Sequence, residues 1–133
     1  MISIRVRRLS EEDIQQVYEL IDDDTAKDTD LNVPFTLTNA GIFVKSYYTY
    51  GAWHSGKLVG AFELKPDGEV SYLVHRDYRK QNIATEMLKM AKRIARKDFQ
   101  VNTLYCTIKD DNIPSIRTAK KLGFNVYHGK QKI

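Results

Sequence analysis

Residues 72–85 read Tyr72-Leu73-Val74-His75-Arg76-Asp77-Tyr78-Arg79-Lys80-Gln81-Asn82-Ile83-Ala84-Thr85. An apolar strand end gives way to a charged turn, and from residue 82 to residue 97 the period becomes helical. Ile83, Met87, Leu88, Ala91, Ile94 and Ala95 then share one face, while Lys89, Lys92, Arg93 and Arg96 lie mostly on another. A strand that feeds a long helix through a short basic turn presents the unpaired N–H groups and the positive pole of a helix N-terminus. Such an end is ready to hold a phosphate or pyrophosphate, and Arg79 and Lys80 add charge beside it. Asn82 stands where the turn meets the helix, and asparagine is the best residue after glycine for a left-handed or capping conformation.

Working outward, residues 50–54, 57–65 and 69–75 alternate with period two and read as three consecutive strands. Ser55-Gly56 and Pro66-Asp67-Gly68 supply the turn chemistry of two hairpins. Residues 2–8 also alternate and form a first strand. Ser10 followed by Glu11, Glu12 and Asp13 is a helix start, with Ile14, Val17, Tyr18 and Ile21 at helical spacing. Residues 22–37 are polar, aspartate-rich and contain Pro34, which predicts a loop, and a second helix is expected over residues 38–47. Beyond the long helix, residues 103–108 form a strand and Pro114 opens a short helix. Gly123 stops that helix in a left-handed conformation, with Phe124 folding back, and residues 124–128 form a last strand. The order is β-α-α-β-β-β-α-β-α-β. It predicts an α/β fold in a single domain, residues 1–133, with a mixed central sheet of about six strands and helices on both faces.

The composition, 42% hydrophobic and 29% charged over 133 residues, is that of an ordinary globular domain. No apolar run approaches a membrane span and the start lacks the pattern of a signal peptide. The one cysteine, Cys106, excludes an internal disulfide. These features fit a cytoplasmic protein without a membrane partner. His54, His75 and His128 share no ligand spacing, so no metal is expected. The net charge of +4 hides a polarity: residues 1–70 hold 7 Lys/Arg against 12 Asp/Glu, and residues 71–133 hold 14 against 5. The acids concentrate in Asp22, Asp23, Asp24, Asp28 and Asp30. The split fits solvated surfaces, or one pole for an anion and another for a cation. Nucleic acid is not the expected partner, because there is no long basic tract, zinc-finger spacing or aromatic RNA-binding signature.

A second motif reads Asn112-Ile113-Pro114-Ser115-Ile116-Arg117-Thr118-Ala119-Lys120-Lys121-Leu122-Gly123-Phe124. With residues 72–85 it resembles the GNAT superfamily of N-acetyltransferases over nearly the whole chain, most densely from Gly51 to Gly123. The resemblance implies acetyl-CoA as acyl-donor cosubstrate and an amine acceptor, either a small molecule or a protein. It implies that the pyrophosphate sits over Arg79, Lys80, Gln81, Asn82, Ile83, Ala84 and Thr85, with Asn82 replacing the family's central glycine. Tyr72, Leu73 and Val74 would present backbone groups to the pantetheine arm, in a gap where their strand splays from residues 103–108. Asn112 would reach the arm's amides or cap its helix.

Acetyl transfer needs a neutral amine about 3 Å from the carbonyl, a donor for the oxyanion and stabilisation of the departing thiolate. The resemblance implies an acid at residue 119 and a base at residue 107, and here these are Ala119 and Thr107. The replacements expected are Glu69 as base and Ser115 as a hydroxyl for the thiolate or the arm. Glu63, Tyr72, Tyr105 and Tyr127 rank below them, and Cys106 reads as a buried strand residue before a nucleophile. The acidic segment 22–49, with Phe35, Phe43, Tyr47 and Tyr48, would attract a cationic amine such as a lysine, a peptide N-terminus or a polyamine. The sequence ends ten residues after Gly123, so the acceptor side is expected to be open or closed by a second subunit in a homodimer. Two alternatives stay open: a catalytically weak coenzyme A-binding module with a protein partner, and a nucleic-acid-associated protein using Lys89, Arg93, Arg96, Lys120 and Lys121.

Overall fold

The computed structural model describes residues 2–29, 31–108 and 111–128, with the side chains of residues 125–128 excepted. The chain runs β1 (Arg5–Arg8), a 3-10 turn (Glu11–Asp13), α1 (Ile14–Leu20), α2 (Asp23–Asp28), α3 (Leu37–Lys45), β2 (Thr49–His54), β3 (Lys57–Leu64) and β4 (Val70–Val74). A second 3-10 turn (Arg76–Tyr78) leads into α4 (Ile83–Phe99), β5 (Tyr105–Ile108), α5 (Ile113–Lys121) and β6 (Asn125–His128). Asp30 and the residues after His128, on which the acidic cluster and the chain-end reading partly depend, lie outside the described residues.

Strands β1-β2-β3-β4 form an antiparallel sheet in that order, and β5 and β6 form a parallel pair. The two are joined by one isolated bridge, Glu69 to Tyr105, so the single continuous sheet expected from the sequence opens between β4 and β5. Period-two alternation sends successive side chains to opposite faces. Tyr72 and Val74 pack toward the core under α4 and α5, with Phe62, Leu64, Met87, Cys106 and Ala119. Leu73 and Ala61 point to the other core, formed with Val17, Leu20, Ala40 and Val44 of α1 and α3. Gly60 lets α4 approach β3 closely, since a Cβ there would lie 2.8 Å from Met87 Sδ.

The loop expected over residues 22–37 is corrected, because α2 occupies its first part. Asp22 caps it, accepting from the Thr25 N–H at 2.8 Å, and Asp23 and Asp24 lie in the first turn where acids favour the helix dipole. Asp22, Asp23 and Asp24, which read as part of a polar loop, form a helix start. Thr25 and Ala26 bury the inner face, which polar composition concealed. The Ser10 hydroxyl, expected to cap, donates to Asp13 Oδ2 at 3.3 Å instead, and the Ser10 N–H donates to the same oxygen at 2.8 Å.

Asp13 is buried and pairs with Arg7 through two bonds, 2.9 and 3.0 Å. The Arg7 hydrogen bonds hold its carboxyl below the usual range against the opposing effect of burial, with further help from Ser10. A carboxylate depressed in the folded state contributes stability above its unfolded pKa of ~3.9 and loses it as pH falls through the folded value. Asp13→Asn should cost about 1–3 kcal/mol at pH 7, and the difference from the parent should shrink below about pH 4. Urea unfolding at neutral and acid pH checks both points.

Candidate coenzyme-binding groove

A clasp joins β4 to β5 at one point. The turn Pro66-Asp67-Gly68 carries β4 back against the start of β5, where the Tyr105 N–H donates to Gly68 O at 3.0 Å and the Tyr105 hydroxyl donates to Asp67 Oδ2 at 2.8 Å. Gly68 has φ +97°, and a Cβ there would come within 2.7 Å of Thr103 O. No side chain fits at this contact. Past the Glu69–Tyr105 bridge no ladder joins β4 to β5 among the described residues. The edge of β4 therefore borders a groove of about 420 Å3.

The groove gathers most of the residues that the sequence singled out: Tyr72, Leu73, Val74, Arg79, Lys80, Asn82, Ile83, Ala84, Thr85, Asn112 and Ser115 all line it. Gln81 and Glu69 do not. Gln81 turns back to donate to Asp77 O at 3.4 Å. Glu69 sits behind the clasp, paired with Lys65 at 3.4 Å. The lining also includes Thr25, Asp28 and Thr29 of α2, along with Tyr78, Pro114 and Thr118. Thr118 was legible as the helical neighbour three residues after Ser115. The α2 residues were hidden by the reading of that segment as a loop.

In the turn before α4, Lys80 and Asn82 are both left-handed, with φ 62° and 64°. Two such residues flanking Gln81 fold the turn tightly enough for Asn82 O to accept the Glu86 N–H at 3.1 Å and start α4. The N–H groups of Ile83, Ala84 and Thr85 then have no partner within the helix and open on the groove. Asn82 makes no side-chain cap bond. Its place depends on tolerating the left-handed region, which is the property that the sequence assigned to it.

Arg79, which lines the groove, also makes contacts that the sequence did not indicate. Its guanidinium donates to Val74 O at 3.3 Å and to Thr25 Oγ1 at 2.9 Å, which ties α2 to the basic turn. A second tie is Arg76 to Asp22, at 3.7 Å. Burial alone would raise the Asp22 pKa, but the Thr25 N–H and the charges of Arg76 and Arg79 lower it.

At the other end, the Tyr72 hydroxyl donates to Ser115 O at 2.9 Å. Burial pushes Tyr72 up to about 12, opposed by the Ser115 bond. Burial, with the charge of Glu69, pushes Cys106 up to about 12 as well, so its thiol stays neutral and unsuited to nucleophilic attack. Ala119 is fully buried. Thr107 Oγ1 is buried without a hydrogen-bond partner. Among the described residues no group of three His, Cys, Asp or Glu could hold a metal, and no helix is long and apolar enough to cross a membrane.

A β-branched residue resists the left-handed region that Asn82 occupies. Asn82→Gly should leave stability within about 1 kcal/mol of the parent, whereas Asn82→Val should cost about 1–2 kcal/mol. Urea midpoints for the two variants give the comparison.

The profile of the acetyltransferase (GNAT) family matches residues 12–124. Among solved structures, the chain is similar to a GNAT-family acetyltransferase from Bacillus anthracis, at 20% identity and a TM-score of 0.77, over 92% of this chain and 81% of that one. It is also similar to the PaiA N-acetyltransferase of Thermoplasma acidophilum in complex with coenzyme A, at 17% identity and a TM-score of 0.72, over 91% and 89%. A third is the diaminobutyrate acetyltransferase of Paenibacillus lautus, in complex with L-2,4-diaminobutyric acid and coenzyme A, at 24% identity and a TM-score of 0.66, over 92% and 75%. Given a profile match that spans most of the sequence, together with a splayed sheet and a helix N-terminus open on the groove, this chain belongs to the GNAT acetyltransferase family.

Proposed function

We propose that this acetyltransferase takes its acetyl group from acetyl-CoA and transfers it to a primary amine on a small cationic molecule, a lysine or a peptide N-terminus. The observation that carries the reading is the groove itself, which runs from the start of α4 along the edge of β4 to Asn112 and Ser115 at the start of α5. Its residues fit the donor chemically. Two left-handed residues bring backbone close to a pyrophosphate, Lys80 adds charge, and the open edge of β4 offers hydrogen bonds to an extended amide-bearing arm, as an added strand would receive. Asn112 and Ser115 on the opposite wall complete the polar contacts.

On the acceptor side, the exposed carboxylate of Asp28 lines the same groove and favours a cation. The sources of rate in this reading are positioning in the groove and a backbone N–H near Val74 for the oxyanion. The Ser115 hydroxyl serves the thiolate or the arm. Glu69, outside the lining, serves as a base only through an intervening water.

Calorimetric titration with acetyl-CoA, followed by thiol release against a panel of primary amines, tests the reading. Micromolar binding with thiol release is expected, and Lys80→Ala should weaken binding about 3- to 10-fold by removing a phosphate contact. Ser115→Ala should slow release more than Glu69→Gln does. Binding with no release on any amine would favour the coenzyme-binding module, which Ala119 and Thr107 at the usual acid and base positions also suit. Absence of binding would overturn the assignment of the donor.

A further inference from the structure

We propose that the hydroxyl of Tyr72, on β4, donates the hydrogen bond that stabilises the departing thiolate, in place of a side chain at residue 119. The inference rests on the acetyl-CoA reading above. It adds a function to a residue which that reading uses only through its backbone.

Three observations converge on Tyr72. First, its hydroxyl donates to the carbonyl of Ser115 at 2.9 Å. Within α5 (Ile113–Lys121), a residue's carbonyl faces the N–H four positions later, so the Ser115 carbonyl points along the helix toward Ala119. The Tyr72 oxygen thus lies at the level of residue 119, on the face of α5 that meets β4. Second, Ala119 is fully buried and contributes only a methyl group, while the Tyr72 ring, from the neighbouring strand, packs on the same core and lines the groove. Third, the groove lining runs from Asn82–Thr85 at the start of α4 to Tyr72 on β4 and Ser115 on α5. A thioester lies at the opposite terminus of the donor from the pyrophosphate, so with the pyrophosphate at the start of α4 the reacting sulfur comes toward Tyr72 and Ser115.

The local chemistry suits a donor and not a base. Burial keeps the Tyr72 phenol neutral, with a pKa of about 12. A thiol near ~8.5 is the stronger acid of the two, so outright proton transfer from tyrosine to thiolate would run uphill. A neutral hydroxyl in a dry site still stabilises an anion that develops beside it. A titratable group that acts on it is Cys106 on β5, which burial keeps neutral.

The step balances simply. The amine lone pair forms the C–N bond, the C–S bond breaks, and the electron pair leaves on sulfur. The Tyr72 O–H turns from the Ser115 carbonyl, which keeps its helix bond, to the sulfur. The proton lost by the amine goes to water, and the thiolate takes one from water, so tyrosine ends unchanged.

The test is Tyr72→Phe in the full chain, which keeps the ring and removes only the donor. Bound coenzyme A is titrated through the ultraviolet absorbance of its thiolate, a readout independent of the acceptor. Its thiol is expected to ionise about one pH unit higher in Tyr72→Phe than in the parent, a tenfold change in thiolate fraction. With an amine that supports turnover, kcat should fall about 10- to 100-fold, with KM for acetyl-CoA nearly unchanged. Equal thiol pKa values in parent and variant, with coenzyme A bound to both, would overturn the role of Tyr72 and leave the acetyltransferase reading standing. Loss of coenzyme A binding in the variant alone would make Tyr72 structural and overturn it equally. Failure of the parent to bind coenzyme A would remove the donor reading and this inference with it.

Discussion

The groove depends on a contact that holds two strands together at one end only. Tyr105 is fixed to Gly68 by its main chain and to Asp67 by its hydroxyl, at a turn where a Cβ would collide with Thr103 O. Gly68 allows this close approach, and beyond it, among the described residues, the ladder partners of β4 are on β3 alone. An unpaired strand edge inside a protein is normally costly or a hazard. Here it borders a groove between α2 and α5, where an extended ligand can satisfy it.

The same economy governs the turn before α4. A helix start carries unpaired N–H groups in any protein, and two side-chain-bearing residues of this turn stand in the left-handed region. Arg79 and Arg76 tie the turn to α2, through Thr25 and Asp22. The acidic and basic halves of the chain therefore meet at the groove rim, and the charge polarity seen in the sequence becomes a structural contact as well as a surface feature.

Around Tyr72 the core side chains carry few polar groups. Tyr72 and Cys106 are held protonated by burial, Ala119 has no polar atom, and Thr107 offers a hydroxyl that nothing within the described fold satisfies. Such a site has little to offer as acid or base and more as a dry, ordered surface. In low dielectric, a fixed dipole acts on developing charge more strongly than it would in water.

The sequence alone determined the element order around residues 72–124, because apolar periodicity and the punctuation by Gly68, Pro114 and Gly123 are local signals that packing did not override. The left-handed role of Asn82 was legible for the same reason, since backbone preference belongs to the residue. Gly123 and Phe124 likewise end α5 as read, donating to Lys120 O and Ala119 O at 3.0 Å each. Only the tertiary structure decided what these elements enclose. It turned the aspartate run into α2, because Thr25 and Ala26 find a core to bury in. It joined Arg79 to Thr25, 54 positions away in sequence, and left Glu69 outside the groove lining. It brought the Tyr72 hydroxyl to Ser115, 43 positions away. Both hydrogen bonds span long separations and depend on how helices pack against the sheet, which no local pattern of residues encodes.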